Sequence, residues 1–313
     1  MKKLLFAICA VATLASCSKD EVVSYDKGEA IGFSNPFVNK ATRAVQEATD
    51  PSYGAVDLTS FKVWGTANDV AIYAGDVVTN SNSVWSCTDP VHYWIEGTAY
   101  KFAALANATT VDLDGGKFPV NATFNAPAAA NTDLIYAAPV TARGLASNNP
   151  AVNLTFGHLL SKVNFTVNNK STSATNYSFD IKDITVKGPQ TGTVALSTGV
   201  WSNLGVATAY NDFDIAVETG ETGDEGSQEL LLIPGEITIS FTVDIKYKGN
   251  VVNTKTYGTT TPIEQTIESG KAYNFIIGVS VGEPITFSVG YTNWDYDVNG
   301  DDAVNTNDDI TVL

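Results

Sequence analysis

The chain has 313 residues, of which 34 are acidic and 18 are basic, so its formal net charge is −16. This charge disfavours nucleic acid and anionic surfaces as partners. The chain holds only two histidines, His92 and His158, which leaves little material for a catalytic triad or a histidine metal site and argues against most hydrolases. Because single cores stop growing near roughly 250 to 300 residues, the length predicts one large domain or, preferably, two.

The amino terminus has the pattern of a bacterial lipoprotein signal. Lys2 and Lys3 precede a short apolar run, which ends at Leu14-Ala15-Ser16-Cys17 with small residues directly before the cysteine. The run is too short to span a bilayer, so residues 1–16 are predicted to be a cleaved signal peptide and Cys17 a lipidated amino terminus. The alternative is an ordinary signal peptide followed by a chance cysteine.

The cysteine content predicts a fold without disulfides. Of the three cysteines, Cys9 lies in the signal and Cys17 is predicted to be lipidated, which leaves Cys87 without a partner. Burial and sheet hydrogen bonds must then hold the mature chain together. A lone cysteine of this kind is more often a small buried apolar residue than a reactive one.

The body of the chain has the pattern of strands. Short runs rich in Val, Ile, Thr, Tyr and Phe alternate with Gly, Asn, Asp and Pro, which is typical of an all-β protein. The predicted strands include residues 30–33, 37–39, 61–64, 70–73, 99–102, 134–136, 152–156, 163–167, 179–181, 183–186 and 237–245. Helical periodicity is scarce, and only residues 158–162 are predicted to hold a helical turn.

Short strands without intervening helices predict antiparallel sheets, because parallel strands need long crossover connections. The predicted fold is therefore all-β, with two β-sandwich domains in tandem. Residues 44–160 are assigned to the N-terminal sandwich and residues 161–296 to the C-terminal one. Residues 17–43 are assigned to a lipid tether with a candidate removable strand, and residues 297–313 to an acidic tail.

Several segments resemble one family. They are residues 61–65, residues 93–94 leading to 100–104, residues 133–137 and, above all, residues 152–165 around His158. Together with the lipoprotein signal and Thr42-Arg43-Ala44, they resemble the fimbrillin-like lipoproteins of Bacteroidota. The resemblance covers most of the mature chain but not the far C-terminal tail.

The resemblance implies a pilus subunit of the outer surface, with a transthyretin-like N-terminal sandwich, a second sandwich and no enzymatic activity. It implies export as a surface-exposed outer membrane lipoprotein, and Cys17-Ser18-Lys19-Asp20-Glu21 resembles the signals that send such lipoproteins to the outer face. A trypsin-like protease then cuts after an arginine and removes an N-terminal strand. Neighbouring pilus subunits fill the resulting groove with a strand of their own and so build the fimbrium.

The resemblance places the cut of this chain at Arg43-Ala44, where small residues flank the arginine and no proline follows. The removable strand is predicted to contain four apolar residues, Ile31, Phe33, Phe37 and Val38. The alternative is that Arg43 is an ordinary loop arginine, as in anchor subunits that keep their lipid. A sandwich without one strand exposes backbone groups and an apolar stripe, and a strand from another chain satisfies both.

Aromatic and imidazole side chains are predicted to be structural. His158 lies among apolar residues, with no acidic or cysteine neighbour in the sequence, so a satisfied core histidine is preferred over a ligand or base. The five tryptophans are scattered, which favours packing in cores and interfaces over sugar stacking. They are Trp64, Trp85, Trp94, Trp201 and Trp294.

The acidic tail has the spacing of a calcium-binding loop. The candidate oxygen ligands are Asp297, Asn299, Asp301, Asn305 and Asp308, with the backbone carbonyl of Ala303. The pattern resembles half of a dockerin repeat, but Asp302 stands where the turn needs glycine and no second loop follows. The alternative is a polar tail that ends in a strand, whose Ile310, Val312 and Leu313 enter the groove of a neighbouring subunit.

The principal alternative function is a monomeric surface lipoprotein that binds glycan through exposed aromatic side chains, with calcium in its tail. An enzyme is disfavoured, because the sequence shows no constellation of nucleophile, base and acid.

Overall fold

The computed structural model describes residues 28–34, 36–38, 58–81, 84–126, 132–171, 176–210, 213–217, 222–223, 230–293 and 310–311. These ranges form strands, bridges and turns, which confirms the predicted all-β class. The strands are β1 (Phe37–Val38), β2 (Ser60–Ala67), β3 (Val70–Ser81), β4 (Val84–Cys87), β5 (Ala99–Ala106), β6 (Thr110–Asp114), β7 (Phe118–Asn125), β8 (Ile135–Arg143), β9 (Thr155–His158), β10 (Ser161–Asn169), β11 (Tyr177–Pro189), β12 (Thr191–Ala195), β13 (Val200–Ser202), β14 (Ala207–Ala209), β15 (Phe213–Val217), β16 (Thr222–Gly223), β17 (Leu230–Leu232), β18 (Gly235–Tyr247), β19 (Asn250–Tyr257), β20 (Ile263–Ile267), β21 (Lys271–Val279), β22 (Thr286–Asn293) and β23 (Ile310–Thr311).

The predicted helical turn at residues 158–162 is wrong. His158 ends β9 and Ser161 begins β10, so the segment is extended on both sides of a short bend. In the described part of the chain, no helix has the length and apolar character needed to cross a membrane.

Alternating burial explains why the longer strands form. In β10 the side chains of Ser161, Val163, Phe165, Val167 and Asn169 are buried, and those between them are partly exposed. Successive side chains of a strand point to opposite faces of the sheet, so this period of two gives β10 one core face. Much of β18 follows the same rule.

The first half of the chain is organised by a seven-stranded sheet with the order β1-β9-β8-β5-β2-β3-β4. The sheet is strongly curved, because the rings of Phe61 in β2 and Phe156 in β9 lie 5.4 Å apart although β5 and β8 separate their strands. The buried side chains on this concave face form one cluster, the N-terminal core, which includes Phe61, Tyr73, Trp85, Phe102 and Phe156.

The second half of the chain forms a sandwich of two six-stranded sheets. One has the order β16-β10-β21-β22-β23, with β17 beside β10; the other has the order β14-β11-β18-β19, with β15 beside β11 and β20 beside β18. The rings of Phe241 in β18 and Phe287 in β22 lie 6.3 Å apart across the sandwich. Pairing is antiparallel in the described sheets except for β1 with β9 and β10 with β21, and the latter two strands are far enough apart in the sequence for a crossover.

A four-stranded sheet with the order β13-β12-β7-β6 joins the two halves. Its central pair aligns Phe124 of β7 with Gly192 of β12, so strands from both sides of residue 160 share one sheet. Phe124 also belongs to one buried cluster with Trp64 of the seven-stranded sheet and Phe241 of the second sandwich. The domain boundary at residue 160 stays a prediction. The structure adds that strands from both sides of this residue pair with each other in the four-stranded sheet.

Candidate functional site

Residues 28–34, here called the N-terminal segment, bridge the two edges of the curved seven-stranded sheet. Phe33 pairs with Trp85 of the edge strand β4 on one side and with Val152, just before β9, on the other. The chain then continues into β1, which lies parallel to β9. Two residues of the predicted removable strand, Ile31 and Phe33, therefore lie beside the seven-stranded sheet; that the strand is removable stays a prediction.

Backbone hydrogen bonds hold the N-terminal segment on both sides. The amides of Ile31, Phe33 and Ser34 donate to carbonyls of the body, and the carbonyls of Glu29 and Gly32 accept from amides of the body. The partner groups in the body are the carbonyls of His92 and Trp85, the amide of Trp94, and both the amide and the carbonyl of Val152, each at 2.9 Å. Five backbone groups of the body thus depend on this segment for their partner.

The apolar side chains of the segment complete the N-terminal core. Ile31 and Phe33 are only 2% and 4% exposed. The Phe33 ring lies 5.9 Å from the Phe61 ring and 6.0 Å from the Phe102 ring, both edge to face. Full burial of such a side chain contributes roughly 1.5–3 kcal/mol, so the segment is an integral part of this core.

The start of the segment is fixed by the carboxylate of Glu29. It accepts hydrogen bonds from the Asn149 amide at 2.6 Å, the Asn149 Nδ2 at 2.8 Å and the Asn148 amide at 2.8 Å. These donors, the Asn149 amide foremost, hold the pKa of the Glu29 carboxyl below its ordinary value. The contacts tie the segment to the loop at residues 144–149.

Two ionisable side chains in the floor beneath the segment, Tyr73 and Cys87, are buried and uncharged. Tyr73 is 1% exposed, and burial raises the pKa of its phenol. Cys87 is buried as predicted, and burial raises the pKa of its thiol to about 11, so it is a neutral thiol at physiological pH. A surface of this kind suits aliphatic and aromatic side chains and disfavours charged ones.

Most of the other predicted site residues lie outside the described residues. These are Cys17, Arg43 and Ala44, the candidate calcium ligands Asp297, Asn299, Asp301, Ala303, Asn305 and Asp308, and the tail residues Val312 and Leu313. Within the described ranges, no group of three His, Cys, Asp or Glu side chains has an arrangement that could hold a metal ion.

Two further predicted segments form strands. Phe37 and Val38 make up β1, which pairs with Thr155 and Phe156. Ile310 lies in β23, where it pairs with Phe287 of β22. The C-terminal strand thus lies at an edge of the second sandwich, on a different sheet from the N-terminal segment.

His158 has a buried, hydrogen-bonded side chain, as predicted. Its Nδ1 lies 2.5 Å from Oδ2 of Asp133, and both residues are buried. No local pattern in the sequence identifies this partner, because Asp133 lies 25 positions from His158. The pairing of His158 with Ile135 across β9 and β8 brings the two side chains together.

The described tryptophans are packed against other residues rather than exposed on the surface. Trp64, Trp85 and Trp94 are 3%, 2% and 7% exposed, which confirms their predicted place in cores. Trp201 is partly buried, and its Nε1 donates to the carbonyl of Leu159 at 2.9 Å. Trp294 lies outside the described residues.

The chain is thus an all-β protein of sandwich architecture whose N-terminal segment bridges the edges of a curved sheet. A family model described as fimbrillin-like matches residues 42–294. The chain belongs to the fimbrillin-like family and is thereby a pilus-type subunit of the cell surface.

Solved structures with the same fold support this assignment at the level of architecture. A fimbrial protein from Bacteroides vulgatus is similar with a TM-score of 0.61 and 14% identity, over 85% of this chain and 100% of that one. A candidate cell adhesion protein from Bacteroides ovatus is similar with a TM-score of 0.51 and 17% identity, over 87% of this chain and 99% of that one. Among curated proteins no match is found.

Replacing Phe33 with alanine is expected to destabilise the N-terminal core by about 3–5 kcal/mol, because it leaves a cavity against Phe61 and Phe102. Urea denaturation followed by tryptophan fluorescence measures the change. The control is Val206→Ala, at a side chain that is 87% exposed, which is expected to change stability by less than about 0.5 kcal/mol. A loss at Phe33 no larger than that of the control would contradict the described packing.

Acidification is expected to loosen the start of the N-terminal segment. Folding lowers the pKa of Glu29 below its ordinary value of 4.5. The stabilisation that the Glu29 carboxylate gives the folded state is therefore present above pH 4.5 and is lost as the pH falls through the lowered pKa. Fluorescence of Trp94, whose amide donates to the Glu29 carbonyl, measures this transition. We expect Glu29→Gln to remove it and Glu96→Gln, at an exposed neighbouring position, to retain it. An unchanged transition in Glu29→Gln would rule out the carboxylate as its cause.

Proposed function

We propose that this chain is a structural subunit of a cell-surface pilus that assembles by strand exchange. In this proposal the chain is exported as a lipoprotein anchored through Cys17, and a trypsin-like protease then cuts between Arg43 and Ala44. The single observation that carries the proposal is the two-sided pairing of the N-terminal segment, which lies upstream of the cut.

Removing the N-terminal segment would leave a defined groove. The five backbone groups of the body that now pair with it would lose their partners, and each buried unsatisfied group costs about 1–3 kcal/mol. The rings of Phe61 and Phe102 would lose the cover of Phe33. An extended strand with alternating apolar side chains satisfies both needs, which is the basis of strand addition.

The C-terminal strand is the proposed donor. Among the described residues, Ile310 and Thr311 of β23 pair with β22, and the apolar residues Val312 and Leu313 follow in the sequence. β23 ends the strand order of its sheet, whereas the proposed groove offers backbone partners on both sides. Because donor and acceptor surfaces differ, the contact is heterologous and repeats without closing, which gives a filament.

In this proposal the lipid on Cys17 delivers the subunit to the cell surface. The family match begins at residue 42, beside the proposed cut, so the part of the chain that carries the family signature is the part that remains after cleavage. Cleavage after Arg43 separates Cys17 from the folded body. A subunit whose Arg43 is spared stays attached to the outer membrane and acts as an anchor.

Calcium binding by the tail is a separate proposal, supported by the spacing of Asp297, Asn299, Asp301, Asn305 and Asp308. Calorimetric titration of calcium into the whole chain tests it, with Asp297→Ala as the control. The glycan-binding alternative is less well supported, because the described tryptophans are packed in the structure rather than exposed as a stacking face.

Limited trypsin digestion is expected to cut the chain after Arg43 and to produce concentration-dependent polymers, visible by size-exclusion chromatography and electron microscopy. Arg43→Gln is expected to block both cleavage and polymer growth. Arg143→Gln is the matched control, because Arg143 ends β8 in a pair with Ala99 and the following Gly144 amide donates to the Thr98 carbonyl at 2.9 Å, so hydrogen bonds hold the backbone on both sides of this bond.

Two results would overturn the proposal. One is a chain that is cut after Arg43, loses its N-terminal segment and yet stays monomeric at high concentration. The other is polymer growth that persists when residues 310–313 are deleted, because it would show that these residues are not the donor strand.

A further inference from the structure

One end of the molecule is formed by three loops around the start of the N-terminal segment. The turn at residues 67–70 is tied to β5 by a hydrogen bond from the Asn68 amide to the Ala99 carbonyl at 2.7 Å. The loop at residues 94–98 is tied to the loop at residues 144–149 by a bond from the Gly97 amide to the Gly144 carbonyl at 2.9 Å. Glu29 binds this last loop, so the proposed groove begins at the same end.

These loops expose three large aliphatic side chains, here called the N-end patch: Val70, Ile95 and Leu145. They are 68%, 62% and 48% exposed. Ile95 and Leu145 are neighbours in space, because Gly144 lies directly against the backbone of Ile95. A single exposed aliphatic side chain needs no explanation, but several on adjoining loop tips beside a proposed assembly groove indicate a contact surface.

The second sandwich carries an apolar groove at its far end. β10 and β21 begin near Leu160, to whose carbonyl the Gly270 amide donates at 2.9 Å, and they run in parallel away from the first half of the molecule. The groove lies beyond them, between β18–β19 and residues 280–285, with a volume of about 390 Å³. We call it the C-end groove.

The C-end groove has an apolar floor and a polar rim. The side chains that form the floor include Phe179, Val243 and Tyr257, all buried, with Ile285 in the facing wall. Asn253 and Lys255 of β19 stand at the rim. The volume lies in the range of pockets that accept small ligands, so two aliphatic side chains fit within it.

We propose that the N-end patch of one copy docks into the C-end groove of the next copy in the pilus. This docking extends the proposed function and rests on it, because strand exchange determines which end of one copy faces the next copy. The proposed donor strand β23 pairs with β22 at Thr286, directly after the groove wall, whereas the proposed acceptor groove starts at Glu29, beside the N-end patch. In a head-to-tail polymer built by strand exchange, the second sandwich of one copy, which carries the C-end groove, adjoins the acceptor groove of the next copy, beside which the N-end patch lies.

The net charge of the chain determines how an apolar contact between copies should depend on salt. Each copy carries a formal net charge of −16, so two copies repel each other at low ionic strength. Salt screens this repulsion and leaves apolar burial intact. Association through the N-end patch and the C-end groove is therefore expected to strengthen with added sodium chloride.

The test uses a photo-crosslinking residue, benzoylphenylalanine, in place of Ile95. We expect intermolecular adducts that join position 95 to residues 253–257 or 280–285 of a second copy, identified by mass spectrometry. The purified uncut chain at high concentration and the trypsin-treated chain are both irradiated. Adducts at other sites, or no intermolecular adduct in either sample, overturn the proposal.

Variants sharpen this test. Leu145→Asp is expected to lower the adduct yield by about tenfold or more, since burial of a leucine is lost and a charge enters the apolar groove. Val206→Asp, at an exposed valine on neither surface, is the matched control and is expected to leave the yield unchanged. Equal yields from the two variants contradict the docking.

The outcome also separates this contact from strand exchange. Adducts in the uncut chain without polymer growth after trypsin treatment support the contact and remove the strand-exchange mechanism. Polymers without the expected adduct support strand exchange and remove the contact.

Discussion

The backbone of residues 31–34 pairs on both sides, and this pairing closes the curved sheet of the first half of the chain. A curved sheet that leaves two edges facing each other must cover both edges or leave their polar groups unpaired. Here one short segment covers both, since Phe33 bridges Trp85 on one side and Val152 on the other. The same segment supplies the two side chains, Ile31 and Phe33, that complete the N-terminal core.

The division of the interior into two clusters makes removal of that segment physically reasonable. The larger cluster joins the second sandwich, the four-stranded sheet and the outer face of the seven-stranded sheet, and it contains neither Ile31 nor Phe33. The N-terminal core alone contains them. Loss of the segment would therefore open a groove over the N-terminal core while the larger cluster keeps its contacts. The larger cluster would keep the body folded, and the exposed apolar groove would favour binding of a new strand.

The sequence predicts this fold well where it depends on local periodicity and less well where it depends on distant pairing. Strict alternation identifies β10 and β18 and places their core faces correctly. The runs at residues 179–181 and 183–186 are one strand, β11, because Asp183 adopts a φ of 53° at an irregularity that a period of two cannot show. The partnership of β7 with β12 has no local signal at all, since it depends on a register set by the whole fold.

The candidate site shows the same limit. Ile31 and Phe33 are recognisable from the sequence as an apolar, strand-forming pair, and the family resemblance suggests their role. The structure alone shows that this segment pairs with both edges of one sheet and that Glu29 holds it against residues 144–149. These contacts join positions more than a hundred residues apart in the chain. His158 likewise has a partner, Asp133, that only the fold brings near.

Hydrogen exchange at the amides of Trp94 and Val152 reports on the pairing of the N-terminal segment, because each donates to a carbonyl of that segment. We expect slow exchange in the uncut chain, fast exchange in the cut monomer freed of its segment, and slow exchange again in the polymer. An amide of β21 in the second sandwich serves as the internal reference and is expected to stay slow throughout. Exchange at Trp94 and Val152 that is equally slow with and without the segment would contradict the account.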